Sequence, residues 1–272
     1  MLDKILIKDI QKIYRLLNKI DRKIMIDFLS IYEIKSIKSA FRKLSSKSVI
    51  NESVFEFENW QNVVFKNIKG IENVSDYEEF KKFFKKTQYY KILDKFDTDI
   101  DKINIFKFEN ELDKLYFEKM IKVSDNYNTT LADIIGKQSD LNNISWIFRI
   151  KRNFKFSSEE IKEILISSNY KLKKQEIDEL INCENEQEIL QILKKTYYAQ
   201  FIDFTNLNNL EANIDSYMYG IYQKYFRGSI FDIGVIYAYI KIVEMENNDI
   251  MNIVEGIRYN LDRQEIRKKL VC

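Results

Sequence analysis

Proline and histidine are both missing from the 272 residues, and glycine occurs only six times. Average usage would supply roughly 13 prolines and about 19 glycines. Without histidine there is no Ser-His-Asp or Cys-His nucleophile pair, no imidazole acid–base and no histidine-ligated metal. Without proline, and with so little glycine, a β-sandwich or barrel lacks the residues its many tight turns require. Cysteine is also scarce: Cys183 and Cys272 stand far apart with no CxxC spacing, the usage of a reduced, intracellular chain rather than a disulfide framework. No long apolar run is present. Ile230 to Ile240 contains Asp232 and is about half the length of a bilayer span. Asp3, Lys4, Lys8 and Asp9 follow Met1 too closely to leave a signal segment.

The remaining composition is that of a packed helical protein. Hydrophobic residues make up 45% of the chain and aromatics 14%, enough for a substantial core. Lys plus Arg is 44 against 42 Asp plus Glu, so the net charge of +2 gives no reason to expect nucleic acid. Apolar residues recur at helical spacing: Ile10, Ile13, Tyr14, Leu17, Ile20 and Ile24 form one stripe, and Ile233, Ile236, Tyr237, Ile240 and Val243 another. Ser157, followed by Ser158, Glu159 and Glu160 ahead of Ile161, Ile164 and Leu165, predicts an N-cap. Strict alternation is short, Val54 to Phe57 being the best of it.

Internal similarity is the strongest signal. Lys85-Lys86-Thr87-Gln88-Tyr89-Tyr90 resembles Lys194-Lys195-Thr196-Tyr197-Tyr198 at an offset of 109. The same offset sets Phe80, Phe83 and Phe84 on Ile189, Ile192 and Leu193, and Ile71 on Leu180. A second pattern reads acidic, apolar, any residue, Asn or Ser, Ile, four residues, Arg. It occurs as Glu33…Ser36-Ile37…Arg42, Asp140…Asn143-Ile144…Arg149 and Asp249…Asn252-Ile253…Arg258. Glu109, Leu112 and Asp113 further match Glu211, Ile214 and Asp215. These periods predict an all-α protein of three tandem helical repeats, over residues 1–103, 104–205 and 206–272. Each acid with its Asn or Ser is expected in the first turn of a helix, where free N–H groups favour it. The Ile is expected to pack inward and the Arg to reach a carboxylate or a helix end.

At these residues the chain resembles the C subunit of the prokaryotic rotary V-type (A-type) ATPases, the d subunit of the eukaryotic enzymes. The likeness is carried by Asp140 to Arg149, running on through Lys151-Arg152 to Ser157…Ile161, by Tyr239, Lys241, Glu244 and Glu246 leading into Asp249…Asn252-Ile253, by Glu255-Gly256-Ile257-Arg258 and Gln264 to Leu270, and by the Lys-Lys-Thr-x-Tyr elements. Glu33 and Ser36 depart from the Asp and Asn of the pattern, and less sequence precedes the first copy than in the family, which implies a shortened N-terminus. The resemblance implies a funnel-shaped, pseudo-symmetric helical body at the cytoplasmic face of the membrane. It implies a monomer within a larger complex, receiving the tip of the D–F central stalk and resting on the proteolipid ring. That is a coupling part, with no catalytic residue, no metal and no cofactor. The signature positions Glu33, Ile37, Arg42, Asp140, Asn143, Ile144, Arg149, Asp249, Asn252, Ile253 and Arg258 are expected to be structural; the resemblance assigns no stalk-contacting residue.

Other chemistry is weaker. Asp97-Thr98-Asp99-Ile100-Asp101 begins like a calcium loop, but Lys102 and Phe108 stand where Gly and Glu are required. Lys81-Lys82-Phe83-Phe84-Lys85-Lys86 mixes charge with aromatics as single-strand binders do. Its helical spacing reads instead as a solvated face over a packed stripe. Lys151-Arg152 and Arg267-Lys268-Lys269 are short clusters suited to anionic lipid or an acidic partner. No Gly-rich phosphate loop is present. The alternative reading is a helical-repeat scaffold that binds another protein or RNA.

Overall fold

The computed structural model describes residues 2–46, 68, 70–96, 99–229 and 231–271, and all regular structure among them is helical. In chain order the helices are α1 (Leu2–Leu16), α2 (Lys19–Ser46), α3 (Tyr77–Phe84), α4 (Tyr90–Leu93), α5 (Ile105–Tyr127) and α6 (Thr129–Asn153), then α7 (Ser158–Ile164), α8 (Lys174–Asn182), α9 (Glu186–Leu193), α10 (Leu210–Phe226), α11 (Ile233–Arg258) and α12 (Arg263–Arg267). The short alternation at Val54 to Phe57 lies outside the described residues, as do Asp97, Thr98 and Cys272. The chain forms two compact units, Tyr14–Lys119 and Met1–Ile13 with Met120–Cys272.

In the unit Tyr14–Lys119, the stripe predicted from Ile10 to Ile24 is interrupted. Helix α1 ends and α2 begins around Asn18, whose side-chain oxygen accepts the amides of Ile20 (2.9 Å) and Asp21 (3.0 Å). Arg22 donates back to the carbonyls of Tyr14 and Arg15, satisfying acceptors that a helix C-terminus leaves open. With the helix broken there, Ile24 is buried and Ile20 faces solvent. The core is aromatic: Phe41 stacks on Phe108 at 4.1 Å and lies 6.0 Å from Phe80, which meets Phe84 edge-on. Lys82, Lys85 and Lys86 are exposed on the other side, so the lysine-rich segment is the solvated face of a packed stripe.

The second unit is built on α6, α10 and α11 packed together. Asp232 caps α11 through the Gly234 amide (2.8 Å) and also accepts from Asn128 (2.9 Å) and Thr130 (2.6 Å), tying the start of α11 to the start of α6. The two backbones come so close that a Cβ on Gly234 would lie 2.9 Å from the Leu131 amide nitrogen. Further along, Gln138 of α6 bonds both Tyr222 of α10 and Tyr237 of α11. Ser157 caps α7 in a reciprocal capping box with Glu160, as the sequence predicts.

Helices α3 and α9, related by the offset of 109, match in detail. Each is eight residues long. Asp76 caps the Glu79 amide while Glu79 reaches back to the Ser75 amide; Asn185 caps the Glu188 amide while Glu188 reaches back to the Glu184 amide. Each helix closes on a threonine hydroxyl bonding the carbonyl three residues before, Thr87 to Phe84 and Thr196 to Leu193. Their inward residues, Phe80 and Phe84 against Ile189 and Leu193, are buried in both.

Gly234→Ala is expected to lower unfolding free energy by about 1–3 kcal/mol, because the opposing backbone cannot yield as a side chain could. Gly220→Ala, on α10 with nothing near its Cβ, is expected to raise it by up to ~1 kcal/mol. Urea denaturation of both variants checks the pair.

Candidate functional site

The signature acids do not stand at helix starts. Glu33, Asp140 and Asp249 lie well inside α2, α6 and α11, where their own helix amides are already bonded. Each is buried, and its carboxylate reaches a separate segment of chain. The first-turn expectation fails because a buried mid-helix carboxylate must find its donors across the core.

Asp140 is the fullest case. One oxygen accepts the Tyr170 amide at 3.1 Å. The other accepts the amides of Lys171 (2.6 Å) and Leu172 (2.8 Å) and the Tyr198 hydroxyl (2.8 Å). One turn on, Asn143 clamps both the carbonyl (3.0 Å) and the amide (2.9 Å) of Ile166. Two residues of α6 thus secure the loop between α7 and α8 and the end of the Thr196-Tyr197-Tyr198 element. Burial pushes the Asp140 carboxyl above its usual range, with the four donors pulling the other way. Burial and the facing carboxylate hold the Tyr198 hydroxyl protonated as a donor.

Glu33 repeats part of this arrangement, accepting the Tyr89 hydroxyl at 2.7 Å. Here Ser36 replaces Asn and bonds only its own helix, to the Tyr32 carbonyl. Asp249 accepts the Val271 amide at 3.0 and 3.1 Å, and Asn252 donates to the Lys269 carbonyl at 3.2 Å, so α11 holds the chain that follows α12.

Isoleucine and arginine follow the expected pattern in two copies of three. Ile37 and Ile144 are buried. Arg42 grips Glu109 of α5 through Nε (2.5 Å) and Nη2 (2.8 Å), and Lys38 meets Asp113 at 2.6 Å. Arg149 stands 3.8 Å from Glu211 of α10, with Ser145 also on that carboxylate. The third copy departs from the expectation. Ile253 is at the surface, and Arg258 lies over the ring of the adjacent Tyr259 at 5.9 Å with no carboxylate paired to it among the described residues. Among those residues no helix after α12 supplies one.

The sequence singled out Tyr89 and Tyr198 as motif residues without their role. Their signal is the acid-to-tyrosine spacing, 56 residues in one copy and 58 in the other. A cluster that leaves no such trace joins α6 to α10: Asp133 accepts the hydroxyls of Tyr170 (2.6 Å) and Tyr225 (2.5 Å) and pairs with Lys137. Desolvation opposes ionisation of Asp133, but these three donors outweigh it and hold the carboxyl below its usual range. Among the described residues no group of three or more Cys, Asp or Glu is placed to hold a metal ion, and no helix is long and apolar enough to cross a membrane.

These features define a protein that is helical in all the regular structure of its described residues and whose buried signature carboxylates fasten separate segments of chain to one another. The chain belongs to the ATP synthase (C/AC39) subunit family, whose model matches residues 1–269. It is 24% identical to the A-type ATP synthase C subunit of Methanocaldococcus jannaschii over 271 residues, 95% of this chain and 68% of that protein. With the corresponding A-type ATP synthase protein of Methanosarcina acetivorans it shares 26% identity over 90% of this chain and 68% of the relative. With that of Methanosarcina mazei the figures are 27%, 71% and 54%.

Asp140→Ala is expected to cost about 3 kcal/mol or more, since it strands several buried donors at once, and Tyr198→Phe about 1–2 kcal/mol. Urea midpoints read both. A pH effect is expected at Asp215, the repeat equivalent of Asp113, for which Ser145 occupies the position that Lys38 holds in the first copy. Desolvation, then the charges of Glu211 and Asp249, push its carboxyl from 3.8 up to about 6. A raised carboxyl stabilises the fold while protonated, so its contribution is complete below about pH 4 and is lost as pH rises through about 6. The Asp215→Asn variant should therefore gain stability relative to wild type between pH 4 and 8, by an amount kept modest by the residue's exposure. Thermal melts across that range give the test.

Proposed function

We propose that this chain is a non-catalytic coupling subunit of a rotary A/V-type ATP synthase or ATPase, built as three tandem pseudo-symmetric helical repeats over 1–103, 104–205 and 206–272. In this reading a funnel-shaped body at the cytoplasmic face takes the D–F stalk in its socket and passes rotation to the proteolipid ring for proton or sodium transport. Membership of the C/AC39 family carries the reading. Three correspondences support the repeats: the equal caps of α3 and α9, the paired Glu33–Tyr89 and Asp140–Tyr198 bonds, and the Arg42–Glu109 and Arg149–Glu211 pairs.

A part that transmits torque must resist shear between its helices. Hydrogen bonds directed from mid-helix carboxylates serve this better than apolar contacts alone, because they fix register as well as distance. The Lys151-Arg152 and Arg267-Lys268-Lys269 clusters suit an acidic partner or anionic headgroups near the ring.

The purified chain, mixed at low salt with the D–F stalk complex of its own organism, is expected to elute with it as a single ternary peak in size-exclusion chromatography. Separate elution, with both components folded by circular dichroism, would overturn the reading.

A further inference from the structure

The second half of α11 presents apolar side chains to solvent in a row. Ile250 is 43% exposed, Ile253 36%, Val254 53% and Ile257 66%. These positions lie one, four, five and eight residues after Asp249, so they share one helix face. The equivalent isoleucine-row positions in the other two copies are covered. Ile34, Ile37 and Phe41 are at most 1% exposed after Glu33, and Leu141, Ile144 and Phe148 at most 6% after Asp140. A neighbouring face of α11 is already occupied: Ile266 of α12 lies against Gly256, and Asn252 and Asp249 hold the chain beyond it.

The covered copies show what such a row receives. The next long helix lies alongside and offers a glutamate near its start to the signature arginine, Glu109 to Arg42 and Glu211 to Arg149. In the first copy Phe108, one residue before that glutamate, stacks on Phe41 at 4.1 Å, and Asp113, four residues after it, meets Lys38. In the third copy Val254 stands where Lys38 does. A complementary helix therefore keeps the glutamate for Arg258 and replaces the aspartate with an apolar residue.

We propose that the face Ile250–Ile253–Val254–Ile257–Arg258 is a docking surface for an amphipathic helix of a partner protein that presents the pattern glutamate, two residues, then two adjacent apolar residues. The occupant is specified by the two internal copies and does not depend on the rotary assignment. A row of this kind closed by a guanidinium with no carboxylate on it among the described residues matches a helix bearing one, whereas a lipid surface has no use for the register between them.

The probe is a peptide of residues 104–123 carrying Asp113→Leu, cross-linked to hold it helical, titrated into the full chain with isoleucine methyls observed by NMR. Shifts at Ile250, Ile253 and Ile257 are expected. Ile257→Glu should weaken binding about tenfold or more. Arg258→Glu should weaken it similarly and be restored by Glu109→Lys in the peptide. These side chains are exposed, and circular dichroism verifies that the variants stay folded. The proposal is overturned if the peptide does not bind, if binding survives Ile257→Glu, or if the shifts fall elsewhere. It is equally overturned if Ile257→Glu instead abolishes self-association in sedimentation, or binding to phosphatidylcholine–phosphatidylglycerol vesicles, with the peptide inert.

Discussion

A carboxylate buried in the middle of a long helix is the constraint on which the described structure turns. Such a group cannot be solvated and has no use for the bonded amides of its own helix, so the chain must deliver donors to it from elsewhere. Asp140 receives three amides and a tyrosine hydroxyl. Those donors come from the α7–α8 loop and from the short helical turn that follows α9, some 30 and 58 residues downstream. Placing one side chain therefore sets where two later stretches return to α6. Apolar packing would tolerate small slides of the same elements; four directed bonds on one group do not.

The three copies solve this constraint to different degrees, and the differences follow from single residues. Asparagine at position 143 can both donate and accept, so it clamps a loop residue at both ends of its peptide. Serine at position 36 is too short to cross the core and turns back on its own helix. Lysine at 38 pairs with Asp113, whereas serine at 145 offers Asp215 no such charge; desolvation first, then Glu211 and Asp249, push the Asp215 carboxyl up to about 6.

The all-helical class was legible from the missing prolines and the recurrent 3.6-residue spacing, and the matched pair α3 and α9 from an offset visible in Lys-Lys-Thr-x-Tyr alone. The signature residues were legible as a set but not in their geometry. Helix-start preference and mid-helix capture both use an acid followed three residues on by Asn or Ser, because both spacings place the two side chains on one helix face. Only the length of apolar periodicity on either side of Asp140 distinguishes them. The Asp133–Tyr170–Tyr225 cluster was not legible, since its members come from three separate parts of the sequence with no shared spacing. The break at Asn18 was missed for a related reason: apolar residues keep helical phase through Ile20 and Ile24, while one asparagine side chain takes over the amides and starts a new helix.

The absence of histidine and proline takes on a physical sense in this light. The buried carboxylates of Glu33, Asp140 and Asp249 are aimed at the chain's own backbone or at another side chain that positions it. Groups of fixed charge suit that use, because a fastening that titrated near neutral pH would loosen with small changes of conditions. Guanidinium groups, and tyrosine hydroxyls held protonated by burial as at Tyr198, keep their state across the physiological range; imidazole does not. Asp215 is the exception: desolvation first, and then the charges of Glu211 and Asp249, push its carboxyl up to about 6, into the range where imidazole titrates.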